Sequence, residues 1–430
     1  MTDVLTVPTS PGPLDAVIQP PGSKSITNRA LICAAVANGP SRITGALASE
    51  DTLVMIEALR QLGATIESHD SGSTLNVKPL ATTEPNRELN FDIANSGTTI
   101  RFLTALLATQ PGSYHLDGTA RMRERPIQDL LTALQQLGAD GTCIHDNDCP
   151  PISLTTNGLS GGTAKIRGDI SSQYLSGLLL SAPRASGDVT LQLDTPLVST
   201  PYVTMTESVM QSFGVQVTHP DTSSYRVACG QAYQGTLYTV EPDASAASYF
   251  WAAAAITGGR VLVKGLNLNS LQGDVGFCQC LRTMGCQVEH LDEGTRVAGG
   301  KLHGITVDMN AISDTVQTLA VVALFADGPT TITNVAHIRH KESDRIGDLA
   351  RELRKLGATI HEHDDGLTIE PGTLRPAQLD TYRDHRMAMS LALAGLRVTG
   401  VQIRDPGCTD KTYPAYFADL QHLLSQQAAD

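Results

Sequence analysis

The chain is 430 residues long, 41% apolar and only 17% charged, which excludes general disorder and predicts two or three domains of about 100–200 residues each. Its formal net charge of -13 sets it against nucleic acid and anionic membrane as general partners. No apolar run approaches the roughly 18 residues of a membrane span, and residues 1–14 lack the apolar stretch of a signal peptide, so a cytoplasmic protein is expected.

The first strand-like run is Val4-Leu5-Thr6-Val7. After Pro20-Pro21 a largely apolar helix starts near Ser25, and a second helix ends at Leu62-Gly63, followed by the alternating strand Ala64-Thr65-Ile66-Glu67. Both features recur. Apolar-Gly helix ends fall at Gly63, Gly138, Gly214, Gly285 and Gly357, at intervals of 75, 76, 71 and 72 residues. A glycine just past a helix supplies the left-handed conformation that stops it. Apolar helices open near Ser25, Ser96, Ser171, Ser245, Asp314 and Asp384, each start offering a polar cap. A helix apolar on most faces is buried, so each unit holds one buried and one surface helix among short strands.

This predicts six repeats, the sixth stopping after 416–424 without its glycine and strand. Val4–Val7 can supply that strand. The domains expected are 22–240 and 241–430, the latter completed by residues 1–21, with crossings near Pro20-Pro21 and Val240–Pro242. A solenoid scaffold is the alternative, but a period near 72 residues is long for one, and the polar loops differ from unit to unit.

The chemistry gathers at helix starts and in loops. Helix N-termini suit anions. The first, Pro21-Gly22-Ser23-Lys24-Ser25-Ile26-Thr27-Asn28-Arg29, adds two cations; the second is Asn95-Ser96-Gly97-Thr98-Thr99-Ile100-Arg101; the third opens with Ser171-Ser172-Gln173. Any one alone is an ordinary capped helix; matching positions in successive repeats argue for a site. Between Arg121 and Arg125 lie three arginines, His337–Arg345 mixes bases with carboxylates, and Asp384-His385-Arg386 and Asp410-Lys411 follow. Basic clusters at matching positions in an acidic chain predict a cleft for an anionic substrate. Cys143, His145 and Cys149 resemble metal ligands only faintly and lack a fourth; Cys278, Cys280 and Cys286 read as reduced core thiols, so no metal is expected.

These strings, together with Lys341–Arg345, Tyr382–Met389 and Asp410–Pro414, resemble in order and spacing the 5-enolpyruvylshikimate-3-phosphate (EPSP) synthase family along essentially the whole chain. The resemblance implies an α/β fold, a two-domain inverse α/β barrel of six βαβαββ repeats, three per domain about a pseudo-threefold axis, closing on its ligands. It implies transfer of the enolpyruvyl group of phosphoenolpyruvate to the 5-hydroxyl of shikimate 3-phosphate with release of phosphate, no cofactor, and action as a monomer. Carried over by motif, Lys24, Ser25, Arg29, Ser171, Ser172, Gln173, Ser199, Tyr202, Asp314 and Lys341 hold shikimate 3-phosphate. Lys24, Asn95, Gly97, Arg125, Gln173, Arg345, Arg386 and Lys411 hold phosphoenolpyruvate. Asp314 takes the hydroxyl proton, Glu342 protonates C3, and Lys24 assists.

Two departures stand out. Ser96, Thr99, Ile100 and Phe102 replace residues the family often carries around Gly97, and His337 occupies a position often held by Asn. Gly97, lacking a Cβ, is expected to leave room for the phosphoenolpyruvate competitor glyphosate. A related family uses UDP-N-acetylglucosamine as acceptor, but its reactive cysteine has no counterpart between Arg121 and Arg125.

Overall fold

The computed structural model describes residues 3–81 and 87–426; the remaining residues of the two expected domains lie outside it. The chain divides into two compact units, Gly22–Val240 and Met1–Pro21 with Glu241–Asp430.

Gly22–Val240 carries three four-stranded sheets. One runs Leu237–Thr239, Ser41–Thr44, Thr74–Lys78, Thr65–His69; the next Arg87–Asp92, Gly112–Asp117, Ile152–Thr156, Asp140–Cys143; the third Gly162–Ile166, Val189–Leu193, Ser224–Val227, Thr218–Asp221. In each, the first pair is parallel and the others antiparallel. A parallel pair needs a crossover and an antiparallel pair only a turn, which yields βαβαββ. The other unit repeats the pattern in two four-stranded sheets and one three-stranded sheet, in which Val4–Thr6 lies antiparallel to Gln402–Arg404. Among the described residues every sheet stays open, so the expected inverse barrel takes the form of separate sheets over buried helices.

The chain also exchanges strands. Leu237–Thr239, at the end of one unit, pairs parallel with Arg42–Thr44 near its start. Asp15–Ile18 pairs parallel with Arg260–Val263. The leading strand of the first and of the fourth repeat thus comes from distant sequence.

Six buried helices occupy the unit centres: α1 (Lys24–Ala35), α2 (Gly97–Leu107), α3 (Ser172–Ser181), α4 (Ala244–Thr257), α5 (Val316–Ala323) and α6 (His385–Gly395). Every residue of α4 is buried, Trp251 included. Their starts differ by a residue or two from the expected ones: the cap of α1 is Ser23, that of α4 is Asp243, and α5 is preceded by a tight turn, Asn310–Thr315, in which Asp314 sits. In each capped case the residue whose side-chain oxygen meets a first-turn N–H wins over the neighbouring serine.

Surface helices end as expected. Gly63, Gly138, Gly214, Gly285 and Gly357 all have positive φ, between 90° and 112°. Four repeats add a staple that periodicity does not show. Arg60, Gln135, Arg282 and Arg354, in the last helical turn, donate to the carbonyls of Ile66, Gly141, Val288 and Ile360, six residues on. Each ties the surface helix to the strand after it. Among the described residues no helix is long and apolar enough to cross a membrane.

Candidate active site

In Gly22–Val240 the starts of α1, α2 and α3 are built alike. Ser23 accepts from the Ile26 amide at 3.4 Å, Ser96 from Thr99 at 3.2 Å and Ser171 from Gln173 at 3.3 Å. Capping fixes the first turn and so sets the positions of Lys24, Ser25, Gly97, Ser172 and Gln173. Lys24 Nζ lies 3.7 Å from the buried carboxylate of Asp51. Arg29 is fully buried and donates to the Ser25 carbonyl (2.9 Å), the Thr206 hydroxyl (2.7 Å) and the Tyr202 carbonyl (3.0 Å), with its guanidinium over the Phe102 ring. Burial lowers its pKa to about 10, so it stays charged. Ser199 precedes the helix Pro201–Ser212, is buried, and holds φ 52°, an uncommon conformation for serine. Its carbonyl accepts from the Tyr202 amide at 3.0 Å.

Beside α2, Arg125 Nη1 donates to the carbonyl and the side chain of Asn95 at 3.2 and 3.3 Å. Of the three arginines in its loop only Arg125 is buried; Arg121 pairs with Glu124 and Arg123 with Asp117 on the surface. A Cβ placed on Gly97 would lie 2.3 Å from Arg125 Nη2 and 2.7 Å from Arg101 Nη1. The room expected beside Gly97 is therefore taken by a guanidinium, and this corrects the reading of an open pocket. Arg101 reaches the Gly97 carbonyl (3.0 Å), Gln173 Oε1 (3.0 Å) and the Pro126 carbonyl (3.2 Å), while Gln173 Nε2 donates to Thr98 at 3.2 Å. Arg101 thereby joins α2, α3 and the Arg125 loop.

The other unit gathers the remaining residues into one ionic network. Asp314 meets Arg386 at 2.8 Å, Arg345 at 3.1 Å and Lys341 at 3.4 Å. Glu342 meets Arg345 at 2.8 Å and Lys411 at 3.7 Å. Asp384, the buried cap of α6, accepts from Arg345 Nε at 2.8 Å, from Ser343 at 2.9 Å and from the Arg386 amide at 2.9 Å. Lys341, Arg345, Arg386 and Lys411 thus face Asp314, Glu342 and Asp384. The cations exceed the carboxylates by one, which leaves the network receptive to a further anion. Burial pushes the Lys341 ammonium down, with Asp314 opposing. His337 is buried, and desolvation, then Lys341, lowers its pKa to about 3. Its ring is therefore neutral at physiological pH, with one donor and one acceptor nitrogen.

Two organising residues escape a reading by motif. Arg101 lies in the string Asn95–Arg101, but its contacts cross to elements 25 and 72 residues away. Asp384 shows in sequence only as a helix cap; its grip on Arg345 spans 39 residues.

The family model for EPSP synthase (3-phosphoshikimate 1-carboxyvinyltransferase) matches residues 8–420. A 3-phosphoshikimate 1-carboxyvinyltransferase of Nostoc punctiforme is 46% identical over 425 residues, covering 99% of this chain and 100% of that protein. The chloroplastic protein of that name from Brassica napus is 44% identical, covering 95% of this chain and 83% of its own length. In structure the chain is similar to EPSP synthase from Acinetobacter baumannii, with a TM-score of 0.80 at 26% identity, covering 100% of this chain and 98% of that one.

Proposed function

Because the chain belongs to the EPSP synthase family, we propose that its two clusters of ionic and hydroxyl side chains serve one reaction. The enzyme transfers the enolpyruvyl group of phosphoenolpyruvate to the 5-hydroxyl of shikimate 3-phosphate, a step of aromatic amino acid biosynthesis. The single observation that carries the assignment of roles is the network in which Asp314 and Glu342 share Arg345. Two carboxylates held by common cations can act as base and acid on one small substrate.

In this reading Lys24, Ser25, Arg29, Ser171, Ser172, Gln173, Ser199, Tyr202, Asp314 and Lys341 hold shikimate 3-phosphate. Lys24, Asn95, Gly97, Arg125, Gln173, Arg345, Arg386 and Lys411 hold phosphoenolpyruvate. Arg29 contributes through the carbonyls of Ser25 and Tyr202, which it fixes, as well as by charge. Asp314 removes the 5-hydroxyl proton as the oxygen attacks C2. Glu342 protonates C3 to a methyl. The tetrahedral intermediate then loses phosphate, its departing charge met by arginine and lysine, and a proton leaves the methyl to restore the double bond. The anions of phosphoenolpyruvate compete for Arg345 and Lys411, which loosens their hold on Glu342 and frees it to carry a proton. Lys24, steadied by Asp51, assists. We place this chemistry in the cytoplasm and in a monomer. Phosphorus NMR of shikimate 3-phosphate mixed with phosphoenolpyruvate should show both signals replaced by product and inorganic phosphate; persistence of both would contradict the proposal.

His337 tests the acceptor side. A neutral imidazole offers a donor and an acceptor as an amide does, so it can stand where relatives place Asn. His337→Asn should keep kcat/KM for shikimate 3-phosphate within about threefold. His337→Ala should raise that KM roughly fivefold, the worth of one neutral hydrogen bond. Steady-state kinetics at several pH values checks both. A wild-type limb near the ordinary histidine pKa that vanished in His337→Asn would show that the ring titrates.

Gly97 tests the phosphoenolpyruvate side. In Gly97→Ala the new methyl must displace the Arg125 guanidinium. Overfilling costs about 1–3 kcal/mol, or one to two decades in affinity. The inhibition constant of glyphosate should rise by that much, and the KM for phosphoenolpyruvate should rise too, by less because it is the shorter anion. Unchanged constants for both ligands would show that Arg125 yields at no cost.

A further inference from the structure

We propose that Asp274 is a positioning residue for Asp314, a second carboxylate behind the candidate base that strengthens its draw on the substrate proton. The inference rests on the reading of Asp314 as base. The turn Gly273–Gly276 packs on the turn Asn310–Thr315 that carries Asp314, close enough that a methyl on Gly276 would touch Ile312 Cγ2 at 3.6 Å.

Asp274 is only 4% exposed, so a carboxyl there is costly unless the site is built for it. The site is built. Ser245, in the first turn of α4, donates its hydroxyl to Asp274 Oδ2. Gln272 accepts from the Ala244 amide at 3.0 Å and donates to the Pro242 carbonyl at 2.6 Å and to Glu241 at 3.2 Å. Glu241 also receives the Leu271 amide at 3.0 Å. These bonds stitch the turn to the start of α4 and fix Asp274 in place.

The charged groups around it come from three elements: Asp314 from the neighbouring turn, Arg386 from α6, and Asp243 at the cap of α4. Glu241 is turned to Leu271 and Gln272. Burial first, then the charge of Asp314, pushes the Asp274 carboxyl up to about 6, while Ser245 and Arg386 pull it back. The sign follows. Above that value Asp274 is a carboxylate, and its charge favours a proton arriving at Asp314 against the pull of Lys341, Arg345 and Arg386. Below it, Asp274 is neutral and that help is gone. Asp274 and Asp314 therefore titrate as a pair.

The test is the pH profile of kcat for wild type, Asp274→Asn, Ser245→Ala and Asp314→Asn in the full chain. Wild type should lose rate on an acid limb near pH 6. Asp274→Asn, locked in the uncharged form, should lack that limb and have a plateau about three- to tenfold lower, with both KM values unchanged. Ser245→Ala removes a bond that favours the carboxylate, so its limb should move to higher pH by about 0.5–1 unit. An Asp274→Asn profile like wild type would overturn the proposal. If that variant does not fold, an unmoved limb in Ser245→Ala overturns it instead. Asp314→Asn separates the two readings: an active Asp314→Asn sinks the base assignment, whereas an inactive one beside a wild-type-like Asp274→Asn profile sinks only the role of Asp274.

Discussion

Asp314→Asn should lower kcat by about 10²–10⁴-fold, the usual worth of a positioned proton-transfer group. Glu342→Gln should do the same. Both substitutions conserve shape but remove an acceptor or donor of protons. Both also remove a charge from a network in which Asp314 touches three cations and Glu342 two. A rise in KM should therefore be small, because the cations that grip the substrate anions lose a competitor. Thermal melts should show little change, since Arg345 keeps its bond to Asp384 in either variant. Single-turnover kinetics at saturating substrate is the check. Near wild-type kcat in either variant would remove that residue from the mechanism.

Asp384→Ala should act on stability first. Asp384 is fully buried, receives Arg345 through Nε at 2.8 Å and Nη2 at 3.2 Å, and caps α6 through the Arg386 amide. Removing one partner of a buried pair costs about 3–5 kcal/mol. For a unit near 200 residues that is a fall in Tm of roughly 6–20 °C. Activity should fall as well, because Arg345 loses the contact that orients it toward both Asp314 and Glu342. Calorimetry shows the first effect and KM for phosphoenolpyruvate the second. A variant as stable as wild type would mean that Ser343 and Glu342 alone hold Arg345.

How much of this is visible in the sequence follows from how local each feature is. The terminal glycines of the surface helices are legible because a left-handed residue is a single-residue requirement, and all five have it. The buried helices are legible from their apolar faces, but not their caps: with Ser23 and Ser25 two residues apart, only the hydrogen bond to Ile26 chooses between them. The strand exchange is not legible. Leu237–Thr239 is three residues long, and its partners lie 195 residues away. Among site residues, the three arginines from Arg121 to Arg125 look equivalent until burial singles out Arg125. Asp274 reads as a loop residue in Gln272-Gly273-Asp274; only the fold sets it behind Asp314. The open pocket beside Gly97 is a reading that knows the missing Cβ but not the guanidinium filling its space.

The most direct test of the enzymatic assignment is the initial rate of phosphate release by the purified chain. It should be fast with shikimate 3-phosphate and phosphoenolpyruvate together, and absent with either alone or with UDP-N-acetylglucosamine replacing shikimate 3-phosphate. Release that did not depend on shikimate 3-phosphate, or that UDP-N-acetylglucosamine supported equally well, would contradict the account.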